Sequence, residues 1–221
     1  MDASVRKILR RQAETVVDNL EKNNMRGFFV ESKKEVPALV ASLLHEGDTV
    51  AVGGSMTLVE TGVLHLLRTG PYRYLDRYAP DLTPEDMREL FIRSFSADAY
   101  LCSANAVTMD GKLYNVDGNS NRVAAICYGP RSVIMVVGVN KIVRDVEEAV
   151  RRVKRRAAPA NAVRLGCETY CAKAGECCAA GGGMADGCQS DSRICSNYVV
   201  SARQREKGRI KVILVGEETG Y

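Results

Sequence analysis

The chain has 221 residues, 46% hydrophobic and 26% charged, with a formal net charge of +4. Those are the proportions of an ordinary globular protein, and the length suits one large domain or two small ones. The charge is too small to argue for a nucleic-acid partner, no apolar run is long enough to cross a bilayer, and a chain of this size needs no metal merely to fold.

Residues 1–24 are charged and amphipathic, without the apolar core of a secretion signal. Their spacing predicts a helix over 6–24, with Ile8, Leu9, Ala13, Val16, Val17 and Leu20 on one side. It is read as an N-terminal helical arm to one domain over 25–221. A cytoplasmic location is expected, where thiols stay reduced.

Residues 27–31 predict a short strand, 36–45 a helix stopping at Gly47, and 49–52 a buried strand ended by Gly53 and Gly54. Residues 55–68 read as one helix, apolar on most faces, as a helix packed on a sheet would be. Residues 70–82 are a connector. Thr83, Pro84, Glu85 and Asp86 supply the cap, first-position proline and first-turn acids of a helix start.

Residues 99–102 predict a strand. Residues 106–109 and 112–116 flank Asp110-Gly111, a two-residue hairpin signal. A short helix over 119–127 is stopped by Gly129-Pro130. Residues 132–137 are the most β-like run and suit a central strand. Asp145, with Glu148 three residues on, caps a helix whose inner stripe is Val146, Ala149, Val150 and Val153. The basic run Arg151, Arg152, Lys154, Arg155 and Arg156 follows acids in that helix's first turn, so it reads as a solvated helix end. Strands over 198–202 and 210–215, joined by a charged turn, are expected to add antiparallel character.

Strands alternating with helices argue for an α/β fold: a mostly parallel sheet with helices on both faces. A cysteine-rich excursion, residues 161–196, is inserted before the last strands.

In open α/β sheets, ligands bind at the carboxyl ends of strands. Four loops occupy such ends. Gly53-Gly54-Ser55-Met56-Thr57 lets backbone approach a ligand and adds two hydroxyls, although a tight turn with a serine cap reads the same way. It is not a Walker loop, since no lysine follows the glycines. Ser103-Ala104-Asn105 is the second. The third holds Asn115, Asp117, Asn119, Asn121 and Arg122, more polar groups than a turn requires. Arg122 can pair bidentately with a carboxylate or phosphate. The fourth, Gly138-Val139-Asn140-Lys141, can bring the Lys141 charge to the same ligand. His45 and His65 read as structural, the latter inside a buried helix, and Glu60 as a first-turn acid.

Six of the eight cysteines fall between Cys167 and Cys195, among glycines. Such clustering means a metal or cluster site, or disulfides; a reducing compartment favours metal, with reduced or reversibly oxidised thiols next and stable disulfides last. Four thiolates can hold zinc or an iron–sulfur cluster, and ligand softness does not separate the two. Lys173 and Arg193 nearby would help hold thiolates ionised. Cys102 and Cys127 read as core thiols.

Four motifs in order resemble the lactate utilisation (LUD) domain family: Val50 through Thr57, Ala104 through Gly111, Asn115 through Ala125, and Val137 through Val143. The similarity runs from about Met25 to the C-terminus. It implies the fold of the NagB/RpiA/CoA transferase-like superfamily. It also implies a pocket built by these loops for phosphates, carboxylates or nucleotide-like ligands. It carries over Gly53, Gly54, Ser55, Thr57, Asn105, Asn115, Asp117, Asn119 and Lys141 as ligand-binding residues. Family members are linked to oxidation of lactate to pyruvate beside iron–sulfur partner proteins.

Cys171, Cys177, Cys188 and Cys195 match the C-terminal cysteine pattern of one subgroup. A glycine-rich insertion over 179–187 and the extra Cys167 and Cys178 depart from it. The resemblance implies that those four hold zinc or an iron–sulfur cluster. The expected partners are a small anionic ligand and iron–sulfur proteins, not nucleic acid and not a membrane; a homodimer stays open. Two other readings stay open as well: an enzyme of cyclo-ligase or acyl-transferase style with structural cysteines, and a non-catalytic scaffold subunit.

Overall fold

The computed structural model describes residues 2–221. Helix α1 (Ala3–Lys22) is capped by Asp2, which accepts from the amides of Ser4 and Val5. Ala13, Val16 and Leu20 recur at helical spacing and are fully buried. The predicted arm is therefore docked, lying against β1 (Arg26–Val30).

Six strands form the central sheet, every neighbouring pair parallel. Their order is β1, β10 (Ile210–Val215), β7 (Ser132–Gly138), β4 (Ala99–Cys102), β2 (Thr49–Val52) and β3 (Arg73–Leu75). Side chains alternate between its faces with period two. Ala51, Tyr100, Met135 and Val212 face α1 and α6 (Asn121–Cys127). Val50, Leu101, Ile134 and Ile213 face α2 (Val36–Ser42), α3 (Met56–Glu60) and α4 (Val63–Thr69). Helices thus cover both faces, as expected. Gly62, at φ +74°, splits the predicted 55–68 helix into α3 and α4. The connector after it contains the short edge strand β3 and leads to α5 (Pro84–Arg93).

A second sheet has the order β8 (Ile142–Val143), β5 (Ala106–Thr108), β6 (Leu113–Asp117) and β9 (Asn197–Ser201). β5 and β6 are the hairpin foreseen at Asp110-Gly111, and β9 runs antiparallel to β6. The two terminal strands do not pair with each other. β10 is buried along almost its whole length and β9 is half exposed. A strand apolar on both faces belongs inside a parallel sheet, so β10 slots between β1 and β7.

α7 (Val146–Arg152) continues through a π-helical turn, Val153–Ala157, into α8 (Ala158–Arg164). Pro159 lacks the amide that would close a normal turn behind it, and the ladder widens there. The inner stripe of this helix packs on Ala106, Tyr114, Val116 and Val143 of the small sheet. The basic run is not uniformly solvated: Lys154 is buried and Arg152 partly so, while Arg151, Arg155 and Arg156 are exposed. Beyond it come α9 (Tyr170–Ala174) and the irregular cysteine segment. Among the described residues, no helix is long and apolar enough to cross a membrane.

Candidate functional site

The carboxyl ends of β2, β4 and β7 and the loop after β6 open onto one cleft of about 400 Å³. Of the residues predicted from sequence, Gly54, Ser55, Asn105, Asp117, Asn119 and Lys141 line it. Gly53, Thr57 and Asn115 are buried one layer behind. Folding adds walls that no local motif announced: Arg77 after β3, Arg164 from α8, residues 191–194 of the cysteine segment, and the C-terminal Gly220 and Tyr221.

Arg122, expected to grip an anion, is turned inward. Nη1 donates to Asn115 Oδ1 at 2.7 Å and to the Ser103 carbonyl at 3.1 Å. Nη2 donates to Asn105 Oδ1 at 2.9 Å and to the Val116 carbonyl at 2.6 Å. A guanidinium has five N–H donors, and four are spent. Arg122 is thus a strut joining the second and third loops. Gly53 makes room for it, since a Cβ there would stand 3.0 Å from Arg122 Cδ. Asp117 is spent likewise, accepting from the amides of Asn119, Arg122 and Val123 where α6 begins. Arg152 ties the second loop to the fourth, donating to the carbonyls of Asn105 (2.6 Å) and Asn140 (3.1 Å). Burial pushes its pKa down to about 10.

Lys141 is 3% exposed. Its Nζ lies 2.9 Å from Thr57 Oγ1 and 3.1 Å from Ser103 Oγ. Burial, reinforced by the Arg152 and Arg122 cations, pushes its pKa down to about 7. Arg77 is held differently. Its guanidinium stands 4.9 Å from the Phe91 ring centroid and 5.7 Å from that of Tyr78. Its buried Nε has no hydrogen-bond partner among the described residues. Its position in a connector, with no motif around it, left no sequence signal.

Neither histidine lines the cleft. His45 sits 3.5 Å from Asp48, and His65, expected in a buried setting, is exposed. Glu60 accepts from the Gly220 amide at 3.1 Å and so anchors the C-terminal tail.

Cys171, Cys177, Cys188 and Cys195 line a second, small cavity of about 20 Å³, together with Cys178, Tyr114, Met184 and Tyr198. All the cysteines are free thiols. Lys154 reaches across from the π-helical turn to the carbonyls of Ala179 (2.8 Å), Gly182 (3.3 Å) and Gly183 (2.6 Å). Arg193 donates to the carbonyls of Ala185, Cys188 and Cys195. Lys173 pairs with Glu168 at 2.9 Å. Burial raises the Cys171 thiol, against a hydrogen bond with the Thr169 hydroxyl. The donor set suits a soft metal. Its spacing does not close around one: among the described residues, no group of three or more His, Cys, Asp or Glu could hold an ion. Cys102 is a core thiol as expected, but Cys127 is exposed.

The cysteine segment also walls the first cleft. The Ser196 amide donates to the Asp117 carbonyl at 3.0 Å, and Asn197 Nδ2 to Ser120 Oγ at 2.5 Å. A Cβ on Gly118 would lie 3.1 Å from Ile194 Cα, so glycine permits the close approach.

The LUD domain family model matches residues 13–215. Among solved structures, a DUF162 family protein from Deinococcus radiodurans is 19% identical, with 95% of this chain and 98% of that chain covered and a TM-score of 0.49. eIF2B beta from Chaetomium thermophilum is 18% identical, with 53% of this chain and 45% of that one covered and a TM-score of 0.37. No curated protein matches the chain. The matched span holds the glycine loop, the polar loop and Lys141, and the chain belongs to the LUD domain family.

Proposed function

We propose that this LUD-domain protein binds a small ligand bearing a carboxylate or phosphate in the cleft at the strand ends. The binding serves oxidation of an organic acid, with lactate the candidate, beside iron–sulfur partner proteins. The observation that carries the binding is the cleft's charge. Arg77, Arg164 and Arg193 line it as cations, with Arg122 just behind and Lys141 only partly charged, against Asp117 and Asp191. Asp117 is already engaged by three amides. Arg77 keeps donors unspent and is held between aromatic rings, so it loses little freedom on gripping an anion. The cleft volume is that of a small-molecule site. The organic-acid role is supported by the family resemblance of the four loops; oxidation of lactate to pyruvate releases two electrons, which iron–sulfur partners would carry away one at a time.

Thermal unfolding with inorganic pyrophosphate, lactate and pyruvate tests the binding. A ligand at a hundred times its Kd stabilises by about 2.7 kcal/mol, which a melting scan resolves. Pyrophosphate is expected to raise the Tm, and Arg77→Ala to remove that rise. A Tm unmoved by all three compounds ends the proposal.

Convergence of Cys171, Cys177, Cys188 and Cys195 on one cavity favours a second reading, in which these thiols hold zinc or an iron–sulfur cluster. Gly181, Gly182 and Gly183 give the segment freedom to tighten around it. A cluster there would pass single electrons, whereas zinc would cross-link the segment. Protein purified anaerobically is expected to carry stoichiometric iron or zinc, lost in Cys171→Ser. Metal-free wild-type protein removes this reading.

A further inference from the structure

Ser103 follows directly on β4, lines the cleft and is 9% exposed. Lys141 lies deeper, with its Nζ 3.1 Å from Ser103 Oγ. The surrounding hydrogen bonds limit where the protons can lie. Thr57 donates its hydroxyl to the Thr219 carbonyl at 3.3 Å, so towards Lys141 it can only accept. A charged ammonium has three donors. Two acceptors, Thr57 and Ser103, meet it. Ser103 Oγ also has the Ala104 carbonyl at 3.3 Å, so its hydroxyl donates either there, while accepting from Lys141, or to the lone pair of a neutral amine. Four charged or titratable groups act on this amine. Arg152 and Arg122 oppose its charge, Glu60 and Cys102 favour it, and burial is the largest influence. The outcome, a pKa of about 7, leaves a large share of free base at neutral pH.

We propose that Ser103 is a nucleophile and Lys141 its general base, acting on an anionic carboxylic ester bound in the cleft. This deepens the reading of the cleft given above and rests on it, since the cleft must admit and hold the anion. Ser103 Oγ bonds to the acyl carbon as its proton passes to Lys141 Nζ. The C–O bond to the leaving alcohol then breaks, and the alcohol takes that proton. Water next gives a proton to Lys141 as its oxygen joins the acyl carbon. The bond to Ser103 Oγ breaks, and Ser103 recovers the proton. A carboxylic acid and an alcohol leave, and nothing is oxidised or reduced.

A fluorophosphonate probe on the full chain, read by mass spectrometry, tests the pair. One adduct is expected, on Ser103. Its rate should rise between about pH 6 and about pH 8 and then level, as a base deprotonating near neutrality requires. Ser103→Ala should lose the adduct, and Lys141→Met should slow labelling at least about 100-fold. Should Lys141→Met fail to fold, the wild-type profile decides. A rate flat through that window, an adduct elsewhere, or none at all overturns the pair. Pyrophosphate stabilisation without an adduct overturns the nucleophile and leaves the anion cleft standing. An adduct without stabilisation does the reverse.

Discussion

An ammonium taken out of water loses several kcal/mol of solvation unless a carboxylate replaces the water. Lys141 has two hydroxyls instead, so shedding its proton is the cheaper response. The consequence for stability has a definite sign. Below pH 7 both folded and unfolded chains carry the proton, and the burial cost is full. Between about 7 and the ordinary lysine value of 10.5, the folded chain has released it and the unfolded chain has not. Stability therefore rises with pH through that window and levels above it, by on the order of 5 kcal/mol in total. Urea unfolding of wild type, measured relative to Lys141→Met, should climb accordingly, and a difference independent of pH contradicts the assignment. At this scale the polar loop was readable as polar, but not the direction each group faces. Arg122 is satisfied by the side-chain oxygens of Asn105 and Asn115 and by two backbone carbonyls, because a buried charge must find partners before any ligand arrives, although Asn115 Nδ2 has no partner among the described residues. Arg77 had no local signal, since the rings that hold it come from its neighbour Tyr78 and from α5.

At the scale of elements, the helix leading into the cysteine segment is the one whose local form has the largest reach. Its π-helical turn places Lys154 inward, where one ammonium collects three loop carbonyls that would otherwise need water. Lys154→Met should leave those carbonyls unsatisfied, lower stability by about 2 kcal/mol, and open the segment. Alkylation by iodoacetamide, followed peptide by peptide, should then accelerate at Cys171 and Cys177. Unchanged rates mean that Arg193 alone holds the segment. Helix α7 was legible because its apolar stripe and Asp145 cap are local. The inward turn of Lys154 was not, since a basic run reads as solvated until its surroundings are known.

For the molecule as a whole, α1 belongs to the core. Ala13, Val16 and Leu20 cover one face of the sheet's β1–β10 side, and their removal costs on the order of 5 kcal/mol, comparable to the stability of an entire domain. A chain lacking residues 2–24 should show no cooperative transition by calorimetry; a sharp transition near the full-length Tm would mean that the helix is dispensable. All strands but the short β3 and β8, most helices, the hairpin and the four loops followed from sequence alone. Each rests on a local regularity: period-two apolar runs, caps, and glycines where chains turn. Tertiary structure alone decided that β10 enters between β1 and β7 while β9 leaves for the other sheet, that the C-terminal tail and cysteine segment wall the cleft, and that Ser103 meets Lys141. Those contacts join residues tens to hundreds of positions apart, and burial, which no short stretch of chain can report, chooses among them.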